Sequence, residues 1–399
     1  MRNQNQSSKM PPNAMADCVF PEEIMLCILT RLPVKSILRF KSVCKPWLEL
    51  FSTPEFIKLH QGQFSSDSKN KFFIAHKFNQ SGNNTPNLSF FNIESNEKKP
   101  TFVGSPFGDV ETDMVGCCNG LICIIERLRC RREAICIWNP ALNLSKTVSL
   151  PSIARRSGES VSLGFGYDAE TDDYKVVRIL SWESLKSEEN MINGAEVYSV
   201  NADSWTRIEP GFQFHVTRTF KNDIVLGTRN NTIVNGNPYW VAKVDDNGSA
   251  IIVKRNHSNV LVYFDMKKMV FRTVPHSRLD LEDVADLVDW NGTLAACVCD
   301  KMVGSLDVWV FDEGEQIWTK SCSFDPPSCP AYVLDVKRFV QFSRDGKVVY
   351  VCRRDDRIYL FDPENKRIRE FACGDRPYEL IKIYGYAYTE SLLCIKGME

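Results

Sequence analysis

The residue types best suited to metal or nucleophilic chemistry, histidine and cysteine, are scattered along this chain. Five histidines occur without the spacing of a metal-binding pair, at positions 60, 76, 215, 257 and 276. Fifteen cysteines are present, but no Cys-x-x-Cys pair occurs, which argues against a zinc ribbon or a RING domain. An activated Ser or Cys needs a base beside it, and no motif supplies one. The sequence therefore predicts no metal, no cofactor and no catalytic residues.

Composition places the chain among ordinary globular proteins. It has 399 residues, of which 43% are hydrophobic and 25% charged, and a formal net charge of -1. The near-neutral balance argues against nucleic-acid binding, and no apolar run approaches the ~18–20 residues that cross a bilayer. Residues 1–14 are polar and lack the apolar centre of a signal peptide. With an odd number of cysteines, several of them in apolar runs, we expect a reducing cytosol or nucleus.

The elements that could position functional side chains fall into two regions, and the first has a helical pattern. Apolar residues recur every four positions at Ile24, Ile28 and Leu32, between two prolines that favour a helix start and a helix end. Short helices are also expected around 37–40, 44–51 and after Thr53. About 40 residues can bury little surface alone, so these apolar groups either form an exposed patch for a partner or pack on the rest of the chain.

From Phe72 onward the pattern predicts β-strands joined by tight turns. An apolar or aromatic residue followed by Asx recurs with a period of about 50 residues, which is typical of propeller blades. The Asx residues are Asn92, Asn139, Asn201, Asp265, Asp312 and Asp362. We expect a mainly β fold, a propeller with six blades, in which the segment Ile381 to Ile395 pairs with the first blade. The alternative is a β-sandwich.

Three other features invite a functional interpretation. The tryptophans at 138, 205, 240 and 318 match blade positions and are expected to pack in the sheets. Gly164-x-Gly166 is followed by no helix and is predicted to be a strand turn, not a nucleotide loop. A basic run between two strands is either a solvated hairpin loop or a rim that attracts an acidic target: Arg127, Arg129, Arg131 and Arg132.

The helical region closely resembles an F-box, especially in its plant form. The match covers some 40 residues. It is carried by Phe20-Pro21-Glu22-Glu23-Ile24, Leu32-Pro33-Val34-Lys35-Ser36, Leu38-Arg39-Phe40-Lys41 and Val43-Cys44-Lys45-x-Trp47. One departure is Phe20, where the family commonly has leucine.

The β region resembles the F-box-associated, kelch-related interaction domain of plant F-box proteins. The matching stretches include Gly116-Cys117-Cys118-Asn119-Gly120, Ile137-Trp138-Asn139-Pro140, Leu163-Gly164-Phe165-Gly166-Tyr167-Asp168 and Asp172-Asp173-Tyr174-Lys175-Val176-Val177. The C-terminal third matches less distinctively. The predicted organisation is a disordered tail at 1–14, an F-box at 15–60, a polar linker at 61–70 and the propeller at 71–399.

The resemblance implies a non-catalytic substrate receptor of an SCF-type ubiquitin ligase. Such a chain binds a Skp-type adaptor, and through it cullin and RING subunits, while its propeller captures a target protein that the sequence does not identify. The expected adaptor contacts are Pro21, Ile24, Ile28, Leu32, Pro33, Ile37, Leu38, Val43 and Trp47, although Ile28 and Val43 also suit internal packing. Two alternatives are an interaction scaffold without ubiquitin transfer and a propeller enzyme with polar residues clustered at its central channel.

Overall fold

The structure is a computed structural model of the chain, and it describes 19 stretches. These are residues 21–66, 70–78, 87–92, 101–104, 112–127, 133–150, 159–182, 194–211, 215–216, 231–245, 257–277, 279–281, 284–299, 306–324, 336–341, 348–352, 358–362, 367–371 and 380–399. The tail predicted at 1–14 lies outside them. In these stretches, no helix is long and apolar enough to span a membrane.

Residues 21–66, called the helical module below, form four helices. They are α1 (Glu22–Leu29), α2 (Val34–Phe40), α3 (Lys45–Leu50) and α4 (Pro54–Ser66). Pro21 and Pro33 precede α1 and α2, and the Thr53 hydroxyl accepts a hydrogen bond from the Phe56 amide at 3.2 Å, as an N-cap does. The predicted linker at 61–70 is wrong for its first part, because α4 continues to Ser66 and buries Phe64.

The rest of the described chain is β-structure. Its first strands are β1 (Lys71–Phe78), β2 (Asn87–Asn92), β3 (Thr101–Gly104), β4 (Thr112–Cys118), β5 (Leu121–Arg127), β6 (Glu133–Asn139), β7 (Leu144–Val148), β8 (Glu159–Asp168), β9 (Asp173–Trp182), β10 (Gly194–Ser199), β11 (Ser204–Ile208) and β12 (His215–Val216). They continue with β13 (Thr232–Val234), β14 (Asn237–Asp245), β15 (His257–Asp265), β16 (Val270–Val274), β17 (Val284–Trp290), β18 (Thr293–Cys299), β19 (Leu306–Asp312), β20 (Ile317–Phe324), β21 (Val336–Gln341), β22 (Val348–Cys352), β23 (Ile358–Asp362), β24 (Arg367–Phe371) and β25 (Leu380–Thr389).

Within the described stretches these strands form six antiparallel sheets, so the prediction of six blades is confirmed. Blade 1 has the order β25-β1-β2-β3, and blades 2, 3, 5 and 6 are the meanders β4–β7, β8–β11, β17–β20 and β21–β24. Blade 4 contains β14–β16, with both β12 and β13 paired to β14. Blade 1 joins the two ends of the β region, since Lys71 of β1 is paired with Thr389 of β25. The predicted ring closure is therefore confirmed.

The repeated Asx residues end the third strand of each blade, except Asn201, which lies two residues past the end of β10. In blade 5 the Asp312 carboxylate accepts hydrogen bonds from the amides of Gly314 and Glu315, at 2.8 and 3.0 Å. The short side chain thus stabilises the turn into the fourth strand. The apolar residue six positions later is the cross-strand partner of the residue before the Asx, as Trp318 is of Phe311.

The core lies between neighbouring blades. Trp138, Trp240 and Trp318 are among the largest fully buried side chains, so the prediction that they pack in the sheets is confirmed. The prediction of a turn at Gly164-x-Gly166 is wrong, because both glycines lie inside β8. A Cβ at Gly164 would be 2.5 Å from the Trp240 ring of the next blade, so this glycine makes room for that indole.

The two faces of the propeller differ in their connections. On one, the turn face, short segments such as 119–120, 235–236 and 291–292 join the first and second strands of a blade. Segments 140–143, 169–172 and 313–316, also on this face, are nearly as short. On the opposite loop face, strands are joined by longer segments, such as 183–193 and 246–256, which lie outside the described stretches.

The central channel contains a buried polar cluster. The Asn231 amide donates to the carbonyls of Val115 and Leu163, both at 2.8 Å, and so links β13 to blades 2 and 3. The Tyr386 hydroxyl of β25 lies 2.9 Å from the same Val115 oxygen and 2.8 Å from the Asn231 carbonyl. These polar groups satisfy one another across the ring, which gives them a structural role.

Candidate protein-docking surface

The interior of the helical module is a chain of aromatic rings. Successive centroids are 5.2, 5.8, 5.0, 6.1 and 5.1 Å apart along Phe40, Trp47, Phe51, Phe56, His60 and Phe64. These rings tie α2, α3 and α4 together. Leu29, Val34 and Ile37 complete the core around them. Large rings compensate for the small number of residues, because each buries far more apolar area than an aliphatic side chain.

This core is shared with the propeller on the turn face. Leu392, which follows β25, is buried in the same cluster, and Ala141 and Leu142 of the turn between β6 and β7 pack against it. At the edge, the Lys58 ammonium lies 2.8 Å from the Asp172 carboxylate. Both groups are mostly exposed, so this pair adds little stability. One side of the module is thus covered by the chain itself.

The other side exposes large apolar groups. Ile24 and Ile28 are each 48% exposed and Val43 is 64% exposed. Ile24 and Ile28 are four residues apart on α1 and so lie on the same side of that helix. Pro21 and Pro33 are also exposed. Ile28 and Val43, whose roles the sequence left open, are therefore surface residues in this chain.

The remaining predicted contacts lie deeper. Leu32, Leu38 and Trp47 are half-buried against the module core and keep part of their surface accessible. Ile37, in contrast, is 0% exposed. Its assignment as an adaptor contact is corrected, because a side chain with no accessible surface packs the core and offers nothing to a partner.

Two exposed apolar residues were missed by the sequence prediction. Leu48 on α3 is 48% exposed and Leu59 on α4 is 49% exposed. The signal for Leu48 was its place beside Trp47. Consecutive helical residues point about 100° apart, so Leu48 cannot share the inward direction of the indole. Both leucines extend the apolar surface of the module beyond α1 and α2.

His60 is a structural histidine. Its Nε2 lies 2.8 Å from the Leu32 carbonyl oxygen, and its ring stacks on Phe64. Its Nδ1 is buried without a hydrogen-bond partner. Burial lowers the pKa of this imidazole, and the hydrogen bond to Leu32 offsets only part of that effect. The neutral ring, donating from Nε2, therefore links α4 to the turn before α2.

Three further groups bear on catalysis and charge recognition: the cysteine thiols, the possible metal ligands and the basic run. Burial raises the pKa of the Cys118 and Cys136 thiols to about 12, so both remain protonated and are poor nucleophiles. No group of three or more His, Cys, Asp or Glu residues suited to a metal occurs in the described part of the chain. Arg127 ends β5, whereas Arg129, Arg131 and Arg132 lie outside the described residues.

The fold and surface define a class of protein, a six-bladed propeller with a small helical module that is seated on its turn face and exposes apolar side chains. Two family models match the chain, the F-box domain over residues 18–59 and the F-box associated beta propeller domain over residues 63–391. The chain belongs to the family of F-box proteins with an F-box-associated β-propeller. The kinship suggested by the plant-type motifs is therefore confirmed.

Three curated relatives are proteins of Arabidopsis thaliana. The F-box/kelch-repeat protein At3g23880 is 25% identical over 350 residues, covering 83% of this chain and 87% of its own length. F-box/WD-40 repeat-containing protein 1 is 24% identical, covering 96% of this chain and 90% of that protein. F-box protein CPR1 is 24% identical, with 90% and 85% covered. Among solved structures, TolB from Acinetobacter baumannii aligns at a TM-score of 0.43 and 10% identity over 84% of this chain and 69% of that one.

Proposed function

We propose that this chain is the substrate-recognition subunit of an SCF-type ubiquitin ligase, acting in the cytosol or nucleus without catalytic residues of its own. A Skp-type adaptor binds the helical module and connects it to cullin and RING subunits. The propeller holds a target protein near the loaded ubiquitin carrier, and the resulting rise in effective concentration promotes modification and degradation of the target.

One observation supports the adaptor step above all others. The module already has a complete core and a covered side, yet it leaves Ile24, Ile28 and Val43 in water. Apolar residues clustered on one small module are typical of a docking surface. Trp47 and Leu38, which are half-buried in the same module, suit the anchors that dominate such interfaces.

We further propose that the target binds on the loop face. The module occupies the turn face, so the loop face is the side that a bound adaptor leaves free. Longer segments also suit recognition better than tight turns do. Arg127 ends β5 at the loop-face end of that strand, and Arg129, Arg131 and Arg132 follow it in the sequence before β6. A basic run here would favour an acidic target.

The adaptor step is tested by exchanging one exposed apolar residue for a charge. Ile28→Asp should weaken binding of a purified Skp-type adaptor by roughly 2 kcal/mol or more, about thirty-fold, if Ile28 is an anchor. Val270→Asp is the matched control, since Val270 is 40% exposed on blade 4, and it should leave the dissociation constant unchanged. Equal affinity of both variants and the unmodified chain would refute the assignment.

A second measurement separates this function from that of a scaffold without ubiquitin transfer. The chain should co-purify with cullin as well as the adaptor, and the Ile28→Asp exchange should remove both together. Retention of the adaptor with no cullin, at equal expression of all subunits, would favour the scaffold. Purification with the proteasome blocked should then recover the target.

A further inference from the structure

The last ten residues of the chain, 390–399, are called the C-terminal segment below. They leave β25 on the turn face and run between the helical module and blade 2. The F-box-associated propeller match ends at residue 391, so most of this segment lies beyond it. Its contacts on both sides suggest a role in holding two parts of the molecule together.

Towards the propeller, the segment is fixed by hydrogen bonds to blade 2. The buried Asn139 amide donates to the carbonyls of Ser391 and Leu393, at 3.0 and 2.7 Å. Two backbone bonds of 3.0 and 2.9 Å pair Ser145 of β7 with Glu399. The apolar side chains of Leu393, Ile395 and Met398 pack against the core between blades 2 and 3.

Towards the helices, the segment contributes Leu392, which is 3% exposed within the module core. Charged groups flank it. Burial raises the pKa of the Glu390 carboxyl, and Lys35 of α2 is close enough to lower it in part. Leu392 therefore fills the module while its neighbour Leu393 packs on the propeller.

The contacts of the C-terminal segment with blade 2 and with the module core are called the joint below, and Asn139 takes part in both. Its side-chain oxygen accepts hydrogen bonds from the amides of Ala141 and Leu142, at 3.0 and 3.3 Å. That turn carries Ala141 and Leu142 to the module core. Its side-chain nitrogen makes the two bonds to the C-terminal segment. An aspartate, as found at 265 and 312 in other blades, would cap the turn equally well but has no hydrogen to donate. Only the hydrogen bonds to the C-terminal segment therefore require asparagine at this position.

We propose that the C-terminal segment, held by Asn139, is a positioning element that fixes the direction in which the helical module projects from the turn face. It thereby sets the distance between a ubiquitin carrier recruited through the module and lysines presented by the propeller or its target. This inference rests on the proposed function. Neither docking surface includes the segment, so its loss should change geometry and leave affinity for the adaptor intact.

Two variants of the full chain test the joint, Asn139→Asp and deletion of residues 393–399, which keeps Leu392 in the module core. The matched control is Asp312→Asn, the reverse exchange at the corresponding turn of blade 5. In Asn139→Asp, hydrogen exchange at the Ser145 amide should accelerate by roughly ten- to hundred-fold, as two bonds are replaced by carboxylate–carbonyl repulsion. The Ala141 and Leu142 amides keep their acceptor and should stay protected, which separates joint release from unfolding of blade 2.

The functional measurement uses the chain's own lysines as the acceptors, in a ligase reassembled with a Skp-type adaptor, cullin, RING subunit and loaded carrier. The unmodified chain and Asp312→Asn should be modified at the same few lysines. Both joint variants should bind the adaptor with unchanged affinity, yet spread modification over more lysines. The rate at the preferred lysine should fall about ten-fold, because a loose joint lowers its effective concentration.

The outcomes distinguish this inference from the function on which it rests. Unchanged exchange at Ser145, or an unchanged set of modified lysines, overturns the positioning role while adaptor binding stands. Failure of the unmodified chain to bind any Skp-type adaptor overturns the proposed function and the positioning role with it. If the deletion variant does not fold, Asn139→Asp alone decides.

Discussion

The turn face and the loop face of this propeller are formed by opposite ends of the same strands, yet they carry different constraints. On the turn face, Asx side chains and left-handed residues close nearly every described connection, and the helical module packs directly on one of those turns. On the loop face, connections such as 183–193 and 246–256 are longer. The comparison indicates that the turn-face sequences are constrained by their contact with the helical module. The loop-face sequences can vary with little effect on the fold.

The largest effect should come from the covered side of the module. Ile37→Ala removes a side chain with no exposed surface and should cost about 2–5 kcal/mol of stability in urea unfolding. Ile28→Ala, on the outer side, should cost less than about 0.5 kcal/mol. Similar losses for the two would contradict the division of the module into a covered and an exposed side.

Two glycines compare the faces directly. Gly120 on the turn face and Gly211 at the start of a loop-face connection share a φ of +79°. A Cβ at Gly120 would lie 2.4 Å from the Ser391 Cβ, whereas one at Gly211 would meet no atom of the described residues within 4 Å. Gly211→Ala should therefore cost only the conformational strain of about 1 kcal/mol, and Gly120→Ala about 1–3 kcal/mol more. Equal unfolding temperatures for the two variants would show that the C-terminal segment moves aside without a loss of stability.

The helical module on the turn face should also respond to acid through His60. Burial lowers its pKa below the usual 6.5, so below that pH the unfolded chain takes up a proton that the folded chain excludes. Stability of the module should fall as the pH drops below about 6.5, and be retained above it. His60→Gln should unfold with a flatter dependence between about pH 7.5 and 5.5. The same pH dependence of stability in the unmodified chain and in His60→Gln would mean that protonation of His60 does not destabilise the fold.

The smallest effect on stability is expected on the loop face. Exchange of Arg129 and Arg131 for glutamate should change the free energy of unfolding by less than about 0.5 kcal/mol. The same exchange should weaken capture of the target in a proteasome-blocked purification, while adaptor recovery stays constant. Undiminished recovery of the target would remove this basic run from the binding site.

Much of the fold could be predicted because its signals are local. The Asx residues recur in each blade, since each blade must turn from its third strand into its fourth. The tryptophans were expected at matching blade positions, but Trp138 lies in a third strand, Trp240 in a second and Trp318 in a fourth. The error at Gly164 has a different origin. A glycine within a strand and a glycine at a turn look alike in sequence, and only the Trp240 ring of the next blade explains its presence. Contacts between blades are not encoded by spacing.

That the helical module exposes apolar side chains was predictable, but which residues expose them was not. Ile28 and Ile37 are both apolar helical positions, and they differ only in whether the rest of the chain covers them. The contribution of Leu392, more than 300 residues away from the helices it joins, has no local signal at all. Helix α4 likewise extends past the family's motif because Phe64 finds a place on the stacked rings.

The pairing of β1 with β25 has a consequence for the order of events on the ribosome. The first blade is synthesised early, but its inner strand is among the last parts to emerge. The nascent chain must therefore keep β1 unpaired on one edge while the other five blades are made, and such long-range pairing is slow to form. A transcript truncated late in the coding region would yield an open ring with an unprotected edge, prone to aggregation. Completion of synthesis thus becomes a condition for a closed ring.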